Sequence, residues 1–263
     1  METQDRGRWV WHELMTSQPE PAEGFYSQVI GWGVESWPDA PPDQPYHVWM
    51  SGAGPVGGVM KLPEEAQAQG APPHWLSYVA VEDVDGTVGR AVGLGATAVL
   101  PGMDIEKVGR IAVLQDPQGA MFALYRPSGE TPGHEGPPLT GDISWIELGT
   151  TDRDAALAFY RDLFGWEETD VMDMGEGNLY HMYGQHGNTY GGIYTKPPEM
   201  PGPPGWLVYA TVDDIQRAVD AVQANGGQVL NGPMEVPGGD QVAQCMDPQG
   251  AVFAIHSKAS ASA

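Results

Sequence analysis

Glu13 and Glu147 are the candidates for acid–base chemistry in this chain. Each stands two places after a tryptophan, in "WHEL" at Trp11–Leu14 and in "WIEL" at Trp145–Leu148. Because side chains alternate between the two faces of a strand, the Trp and Glu of each motif share one face. A carboxylate enclosed on such a face needs a hydrogen bond, and burial raises its pKa toward the range of a general base or acid. The alternative is a structural glutamate held by backbone groups or by a neighbouring Tyr or Trp.

Histidines and tyrosines also recur at equivalent positions. The motifs "YHVW" and "YHMY" contain His47 and His181. Histidine can transfer a proton near neutral pH, so both are candidate catalytic residues, with a packed or edge-strand histidine as the alternative. Tyr78 and Tyr209 recur in "WLSYVAV" and "WLVYATV", where their hydroxyls could hold the glutamates or orient a substrate, unless they are ordinary core tyrosines.

Aromatic side chains are the candidates for the wall of a ligand pocket. The chain has nine Trp and ten Tyr, and flat organic molecules bind in sites lined by aromatic and Met side chains. An ordinary hydrophobic core is the alternative for each of them. The predicted ligand-binding residues are Trp11, Trp49, Tyr78, Trp145, Tyr183 and Tyr209.

These pairs arise because the chain is a tandem duplication. The stretch "FYSQVIGW" begins at Phe25, and "FYRDLFGW" begins at Phe159, 134 residues later. "DPQGAMFAL" at Asp116 returns as "DPQGAVFAI" at Asp247, so the offset falls to 131 after a three-residue deletion. A repeat of this length predicts that each copy is a domain.

Within each copy, the pattern of one strand, one helix and three strands occurs twice. Ser17 and Thr151 are predicted to cap the first helix of each copy, and Gly31 and Gly165 to end it in a left-handed conformation. Apolar residues at helical spacing over 215–222 predict a later helix. The sequence therefore predicts an α+β fold built from four βαβββ modules.

The predicted organisation has two domains joined by a Pro- and Gly-rich linker. Pairing of the two domains within one chain favours a monomer, and a homodimer is the other arrangement. The predicted segments are a first domain at 1–127, the linker at 128–141, a second domain at 142–258 and a tail at 259–263.

The composition bears on the partners of the chain. Its formal charge is −23, from 35 acidic and 12 basic residues, which opposes binding to nucleic acid or to an anionic membrane. The expected partner is a small organic molecule. The single cysteine, Cys245, cannot form an internal disulfide, and no apolar segment resembles a signal peptide or a membrane span, so a cytoplasmic location is expected.

The helix ending in "FY…GW" and the later "DPQG" turn, each present twice at matched offsets, resemble the vicinal oxygen chelate family. This family includes glyoxalase I, extradiol dioxygenases and the bleomycin- and fosfomycin-resistance proteins. The resemblance covers residues 8–126 and 142–257. It implies that each pair of modules forms a curved mixed sheet, a half-open barrel around a cavity with the helices outside. One fold hosts many chemistries, so the resemblance specifies the fold more closely than the activity.

In metal-dependent members of the family, His, Gln and Glu side chains on the first, fifth and last strands hold a divalent ion. None of the residues at those positions of this chain is a metal ligand. No metal ion or other cofactor is therefore expected, and Fe, Mn, Ni or Zn held by displaced ligands is the alternative. Counting along the two copies places the three positions at Trp11, Leu76 and Ala123 and at Trp145, Leu207 and Ala254.

Three functions fit these features. The first is a glyoxalase-like cavity protein that lacks the usual metal ligands and acts as a lyase or isomerase, using an inward Glu with Tyr or His. The second is a protein that sequesters a drug or metabolite without catalysis. The third is a dioxygenase or glyoxalase with displaced metal ligands. The sequence leaves open whether the chain is an enzyme and does not identify its substrate.

Overall fold

The computed structural model describes residues 6–41, 43–68, 70–130, 136–175 and 177–259. Parts of the predicted linker and of the predicted tail lie outside the described residues. None of the helices in this described part is long and apolar enough to span a membrane.

Four βαβββ modules follow one another, as the sequence predicts, with one additional short helix, α2. The first half contains β1 (Trp9–Thr16), α1 (Pro19–Val29), β2 (Gly33–Ser36), β3 (Tyr46–Ser51), β4 (Gly54–Lys61), α2 (Glu64–Ala68), β5 (His74–Ala80), α3 (Val84–Gly93), β6 (Thr97–Ile105), β7 (Gly109–Gln115) and β8 (Met121–Pro127). The second half contains β9 (Ile143–Thr150), α4 (Arg153–Phe164), β10 (Glu167–Asp173), β11 (Leu179–Gln185), β12 (Asn188–Thr195), β13 (Gly205–Thr211), α5 (Ile215–Ala224), β14 (Gln228–Glu235), β15 (Gln241–Met246) and β16 (Val252–Ser257).

The strands of each half form one eight-stranded mixed sheet. The orders are β2-β3-β4-β1-β5-β8-β7-β6 and β10-β11-β12-β9-β13-β16-β15-β14, so neither sheet closes on itself within the described residues. β1 pairs with β4 and β5 with β8 in parallel, and the hairpin partners β3–β4 and β7–β8 are antiparallel. The α+β class and the tandem arrangement are therefore confirmed.

The predicted caps of the first helix in each half are wrong by one residue. Gln18, not Ser17, precedes α1, where no side-chain cap bond forms and a proline lies in the first turn. Asp152, not Thr151, caps α4, its carboxylate accepting from the amide three residues on. The helix of the second half begins one residue later than predicted, so the carboxylate of Asp152 satisfies the amide of Ala155. A proline at the start of α1 has no amide to satisfy.

The predicted helix ends and the predicted apolar stripe are confirmed. Gly165 closes α4 with φ of 79°, in the left-handed region that suits glycine, and Gly31 follows α1 with φ of 91°. The buried residues of α5 are Ile215, Ala218, Val219 and Val222.

The contacts of the backbone divide the chain into two compact units that differ from its two halves. Each unit contains one module from each half. The first unit comprises Met1–Trp11, Leu76–Pro132 and Trp145–Trp206, and the second comprises His12–Trp75, Gly133–Ser144 and Leu207–Ala263.

A chain of hydrogen bonds joins the two repeated motifs within the second unit. The indole of Trp75 donates to the hydroxyl of Tyr26 at 3.0 Å, and that hydroxyl donates to the carboxylate of Asp247 at 3.2 Å. The other carboxylate oxygen of Asp247 accepts from amides of its own "DPQG" turn. Burial raises the pKa of Tyr26 well above its ordinary value, so this hydroxyl remains a donor.

The first unit repeats the arrangement. Trp206 donates to Tyr160 at 3.2 Å, and Tyr160 donates to Asp116 at 2.9 Å. The tyrosine of each "FY…GW" motif thus donates a hydrogen bond to the aspartate of a "DPQG" turn, which explains why both motifs occur twice.

The first glycine of each "GG" pair, Gly57 or Gly191, allows close approach of two strands. A Cβ at Gly191 would collide with the backbone oxygen of Ile146 on the neighbouring strand, and a Cβ at Gly57 would collide with that of His12. Because backbone cannot move aside as a side chain can, we expect Gly191→Ala to lower the free energy of unfolding by about 3 kcal/mol.

Urea denaturation of this variant measures the effect, and Gly24→Ala in α1 is the matched control. A Cβ at Gly24 meets nothing within 4 Å, so that variant should be neutral or slightly stabilising. Equal stabilities of the two alanine variants would contradict this explanation of the glycine pair.

Candidate functional site

Each sheet has one face covered by helices and an opposite face, here called the inner face. Leu14 of β1 and Trp49 of β3 belong to the same buried core as Tyr26 of α1, which identifies their face as the helix-covered one. Because side chains alternate along β1, Glu13 points to the inner face. Glu147 is its equivalent in β9.

Glu147 belongs to a hydrogen-bonded group on the inner face of the second sheet. The indole of Trp145 donates to the hydroxyl of Tyr180 at 2.7 Å, and this hydroxyl donates to the carboxylate of Glu147 at 2.9 Å. The ring of Tyr194 stacks on that of Tyr180, with centroids 6.2 Å apart. Trp145, Glu147, Tyr180 and Tyr194 are called the Glu147 cluster below.

The electrostatics of the cluster keep the phenol of Tyr194 protonated. Burial and the negative charge of Glu147 raise the pKa of Tyr194 to about 12. Tyr194 is therefore neutral near pH 7, and its hydroxyl donates to the sulfur of Met200 at 3.3 Å, a weak acceptor that a ligand oxygen can replace. Glu147 is buried, at 8% exposure, whereas Tyr180 and Tyr194 are partly exposed, so the cluster lies where a small molecule can contact its tyrosines.

The second glycine of each "GG" pair leaves space for a tyrosine ring on the inner face. Gly192 lies directly across from Glu147 in the paired strands, and a Cβ there would overlap the ring of Tyr180. In the first half, Gly58 lies across from Glu13 and is covered in the same way by Tyr46.

The two halves differ at one position of this arrangement. Met60 stands in the first half where Tyr194 stands in the second, 134 residues later. The first half therefore has a buried glutamate, at 7% exposure, and an equivalent tyrosine, but it lacks the second phenol.

The predicted catalytic histidines lie in separate ion pairs. Nδ1 of His47 contacts Glu23 of α1 at 2.5 Å, which places this side chain on the helix-covered face. Nδ1 of His181 contacts Glu168 of β10 at 2.5 Å. The structure does not bring either histidine into the Glu147 cluster.

Trp49 and Tyr183, two of the predicted ligand-binding residues, are core residues. Both are fully buried. Tyr183 donates to the backbone oxygen of Ile146 at 3.0 Å and accepts from the indole of Trp9 at 2.9 Å. Neither side chain reaches the inner face.

The other predicted ligand-binding residues do lie on the inner face. Tyr78 and Tyr209 are paired in register with Ala123 and Ala254, and both tyrosines are 5% exposed. The amide of Gln244 donates to the hydroxyl of Tyr209 at 3.3 Å. By strand alternation, Trp11 shares the face of Glu13 as Trp145 shares that of Glu147.

The residues present do not fit the divalent metal that the family resemblance implies. The indole of Trp145 donates a hydrogen bond and cannot ligate a cation, and Leu207 and Ala254 have no donor atoms. In the part of the chain that the structure describes, no three His, Cys, Asp or Glu side chains are grouped so as to hold a metal ion.

Sequence reasoning missed Tyr180 and Tyr194. Tyr180 precedes the histidine in the repeated "YH" motif, but the histidine was predicted as the site residue because its ordinary pKa suits proton transfer. The glycine pair on the neighbouring strand was the second signal, since it leaves space for a ring on the inner face.

Comparisons with known proteins match both halves of the chain. The sequence profile of the Glyoxalase/Bleomycin resistance protein/Dioxygenase superfamily matches residues 142–255, and that of a glyoxalase-like domain matches residues 11–125. The Mycobacterium tuberculosis (strain CDC 1551 / Oshkosh) protein named "Putative glyoxylase CFP32" is 33% identical over 249 residues, covering 93% of this chain and 92% of its own. The "Anthracycline biosynthesis protein DauV" of Streptomyces sp. (strain C5) is 28% identical over 260 residues, covering 95% and 92%.

Solved structures share the fold at low sequence identity. The Mn(II)-bound glyoxalase from Novosphingobium aromaticivorans matches 97% of this chain and 83% of its own, with a TM-score of 0.63 and 16% identity. The 2,3-dioxygenase LapB from Pseudomonas sp. KL28 matches 97% and 94%, with a TM-score of 0.66 and 12% identity.

Proposed function

Because this chain belongs to the glyoxalase/bleomycin resistance protein/dioxygenase superfamily, we propose that it binds a small organic molecule at the inner face of its second half and transfers a proton there, as a lyase or isomerase, without the metal that other members use. The observation that carries this proposal is the hydrogen-bond chain from Trp145 through Tyr180 to Glu147. It holds a buried carboxylate on the inner face, beside two partly exposed tyrosine rings.

The cluster supplies the groups that such a reaction requires. The carboxylate of Glu147 takes a proton from a carbon next to a carbonyl group, which leaves an enolate. The neutral hydroxyl of Tyr194 donates to the enolate oxygen, where negative charge develops. Return of the proton to a neighbouring atom completes an isomerisation, and loss of a leaving group completes an elimination.

The relatives suggest which compounds to examine first. One relative is named as a glyoxylase and another as an anthracycline biosynthesis protein. We therefore propose carbonyl compounds, either small 1,2-dicarbonyls or planar aromatic ketones, as the substrate class. The stacked rings of Tyr180 and Tyr194 suit a flat molecule.

The second candidate function is sequestration of such a compound without chemical change. The half-buried aromatic side chains of the cluster favour binding by themselves, and Tyr180 already satisfies the carboxylate. In that case Glu147 would position Tyr180 and would take no part in chemistry.

One experiment separates the two candidates. Purified, chelator-treated protein is screened by thermal shift against dicarbonyls and planar aromatic ketones, and each compound that raises the melting temperature is incubated and recovered for mass spectrometry and NMR. An isomerised or cleaved compound supports catalysis, and an unchanged one supports sequestration. A compound altered only after addition of Fe, Mn, Ni or Zn would overturn the metal-independent proposal.

A further inference from the structure

The second unit contains a serine, a histidine and an aspartate in hydrogen-bonded series. Oγ of Ser144, at the start of β9, lies 2.8 Å from Nδ1 of His256 on β16. Nε2 of the same ring lies 2.8 Å from the carboxylate of Asp240, just before β15. These three residues are called the Ser144 triad below.

The aspartate contacts the far side of the histidine ring and orients it. Its second carboxylate oxygen accepts from the backbone amide of Ala259 at 2.8 Å, and this hydrogen bond, followed by that of His256, lowers the pKa of Asp240. An ionised Asp240 accepts the proton carried by Nε2. When Nε2 carries the ring proton, Nδ1 is an acceptor that faces the hydroxyl of Ser144 at 2.8 Å, and the backbone oxygen of Tyr209 is a second acceptor for the same hydroxyl at 3.3 Å.

A serine, a histidine and an acid in hydrogen-bonded series can activate the serine as a nucleophile, here with Nδ1 facing the serine and Nε2 facing the acid, the reverse of the usual assignment. The base accepts the hydroxyl proton as the oxygen attacks, and the acid holds the ring in the required tautomer. The side chains are reachable, since those of His256 and Asp240 are 16% and 35% exposed and Ser144 is partly exposed.

A hydroxyl without a partner lies beside the triad. Thr211 is directly paired with His256 across β13 and β16, so both side chains share one face. The hydroxyl of Thr211 is buried and makes no hydrogen bond in the described residues. A buried donor of this kind suits the oxygen of a bound acyl group.

The triad belongs to the second half alone. The equivalent positions of the first half hold Val10, Tyr125 and Gly109. The hydrogen-bonding scaffold of the fold therefore does not require these residues, since the first half forms the same strands without them.

We propose that the Ser144 triad is an acyl-transfer site that takes small esters or thioesters. Oγ of Ser144 attacks the carbonyl carbon while its proton passes to Nδ1 of His256. The carbon–oxygen or carbon–sulfur bond of the leaving group breaks, and the alcohol or thiol leaves with that proton. Water, deprotonated by the same nitrogen, then attacks the acyl carbon; the bond to Oγ breaks, the proton returns from Nδ1 to Oγ, and the acyl group leaves as a carboxylic acid.

Labelling of the full-length protein with a fluorophosphonate probe tests this site. The expected result is one modified peptide containing Ser144, and p-nitrophenyl acetate hydrolysis that falls at least 100-fold in Ser144→Ala and in His256→Gln. Ser17→Ala and His186→Gln are the controls, because both residues lie outside the triad on exposed segments. Unchanged hydrolysis in Ser144→Ala, or labelling at other residues only, would overturn the proposal.

The labelled peptide of the wild-type protein decides the question even if a histidine variant does not fold. Labelling and ester hydrolysis report on Ser144 alone, whereas the proton-transfer function is assayed separately with the carbonyl compound. Failure of the acyl-transfer site is thereby distinguished from failure of the proton-transfer function proposed above.

Discussion

Glu147→Gln is expected to lower kcat by roughly 10²- to 10⁴-fold for the carbonyl compound that the screen identifies, because this is the usual contribution of a general base. Glutamine has nearly the same shape and keeps an oxygen that can accept from Tyr180, so the cluster should keep its geometry. The change removes the basic carboxylate and little else. KM should therefore change much less than kcat, and steady-state kinetics of the two proteins measures both.

Two further variants make this prediction specific. Glu167→Gln on β10 is the matched control, because that glutamate is exposed and should not affect turnover. Glu13→Gln reports whether the first half is also active. Since Met60 replaces the second phenol there, we expect Glu13→Gln to retain most of the activity. A fall in kcat of equal size in Glu167→Gln would contradict the role given to Glu147.

His12→Ile is expected to remove the largest single source of acid sensitivity that we identify in the fold. His12 is buried, and burial lowers its pKa from 6.5 to about 3. The unfolded chain therefore takes up this proton between those pH values while the folded chain does not. The contribution of neutral His12 to the free energy of unfolding is fully present above pH 6.5. It falls by about 1.4 kcal/mol per pH unit as the pH decreases toward 3, or about 4–5 kcal/mol in all.

Isoleucine is the matched replacement because Ile146 occupies the equivalent position in the second half. Urea denaturation at a series of pH values from 7 down to about 4 measures the slope of stability against pH. Below about pH 6.5 the wild-type slope should be steeper than that of His12→Ile, and above it the two slopes should be equal. Parallel curves of stability against pH for the two proteins would contradict this prediction, because His12 would then take up its proton equally in the folded and the unfolded chain.

Local patterns in the sequence predicted the modules well. The apolar spacing over 215–222 became the buried side of α5, and Gly165 ended α4 as its lack of a Cβ allows. Such features depend on neighbours within one or two turns of chain. The helix starts were predicted one residue early, because Thr151 and Asp152 are adjacent residues that can both cap a helix and the local pattern does not decide between them.

Those local patterns could not predict which modules pack against each other. Nothing near Tyr26 in the sequence indicates that its hydroxyl bonds to Asp247, 221 residues away. Alternation along a strand predicted that each glutamate shares a face with the tryptophan two places before it, but it could not identify which repeated aromatic residue contacts the glutamate. The Ser144 triad was missed because its residues are not repeated and come from distant strands.

The central claim is that Glu147 transfers a proton to and from a bound carbonyl compound without a metal ion. Exchange of the compound's carbon-bound hydrogen with D₂O, followed by NMR in chelator-treated protein, tests this most directly. The account predicts exchange with the wild-type protein and with Glu167→Gln, and at least 100-fold slower exchange with Glu147→Gln. Equal exchange in wild type and Glu147→Gln, or exchange that appears only after a divalent metal is added, would contradict it.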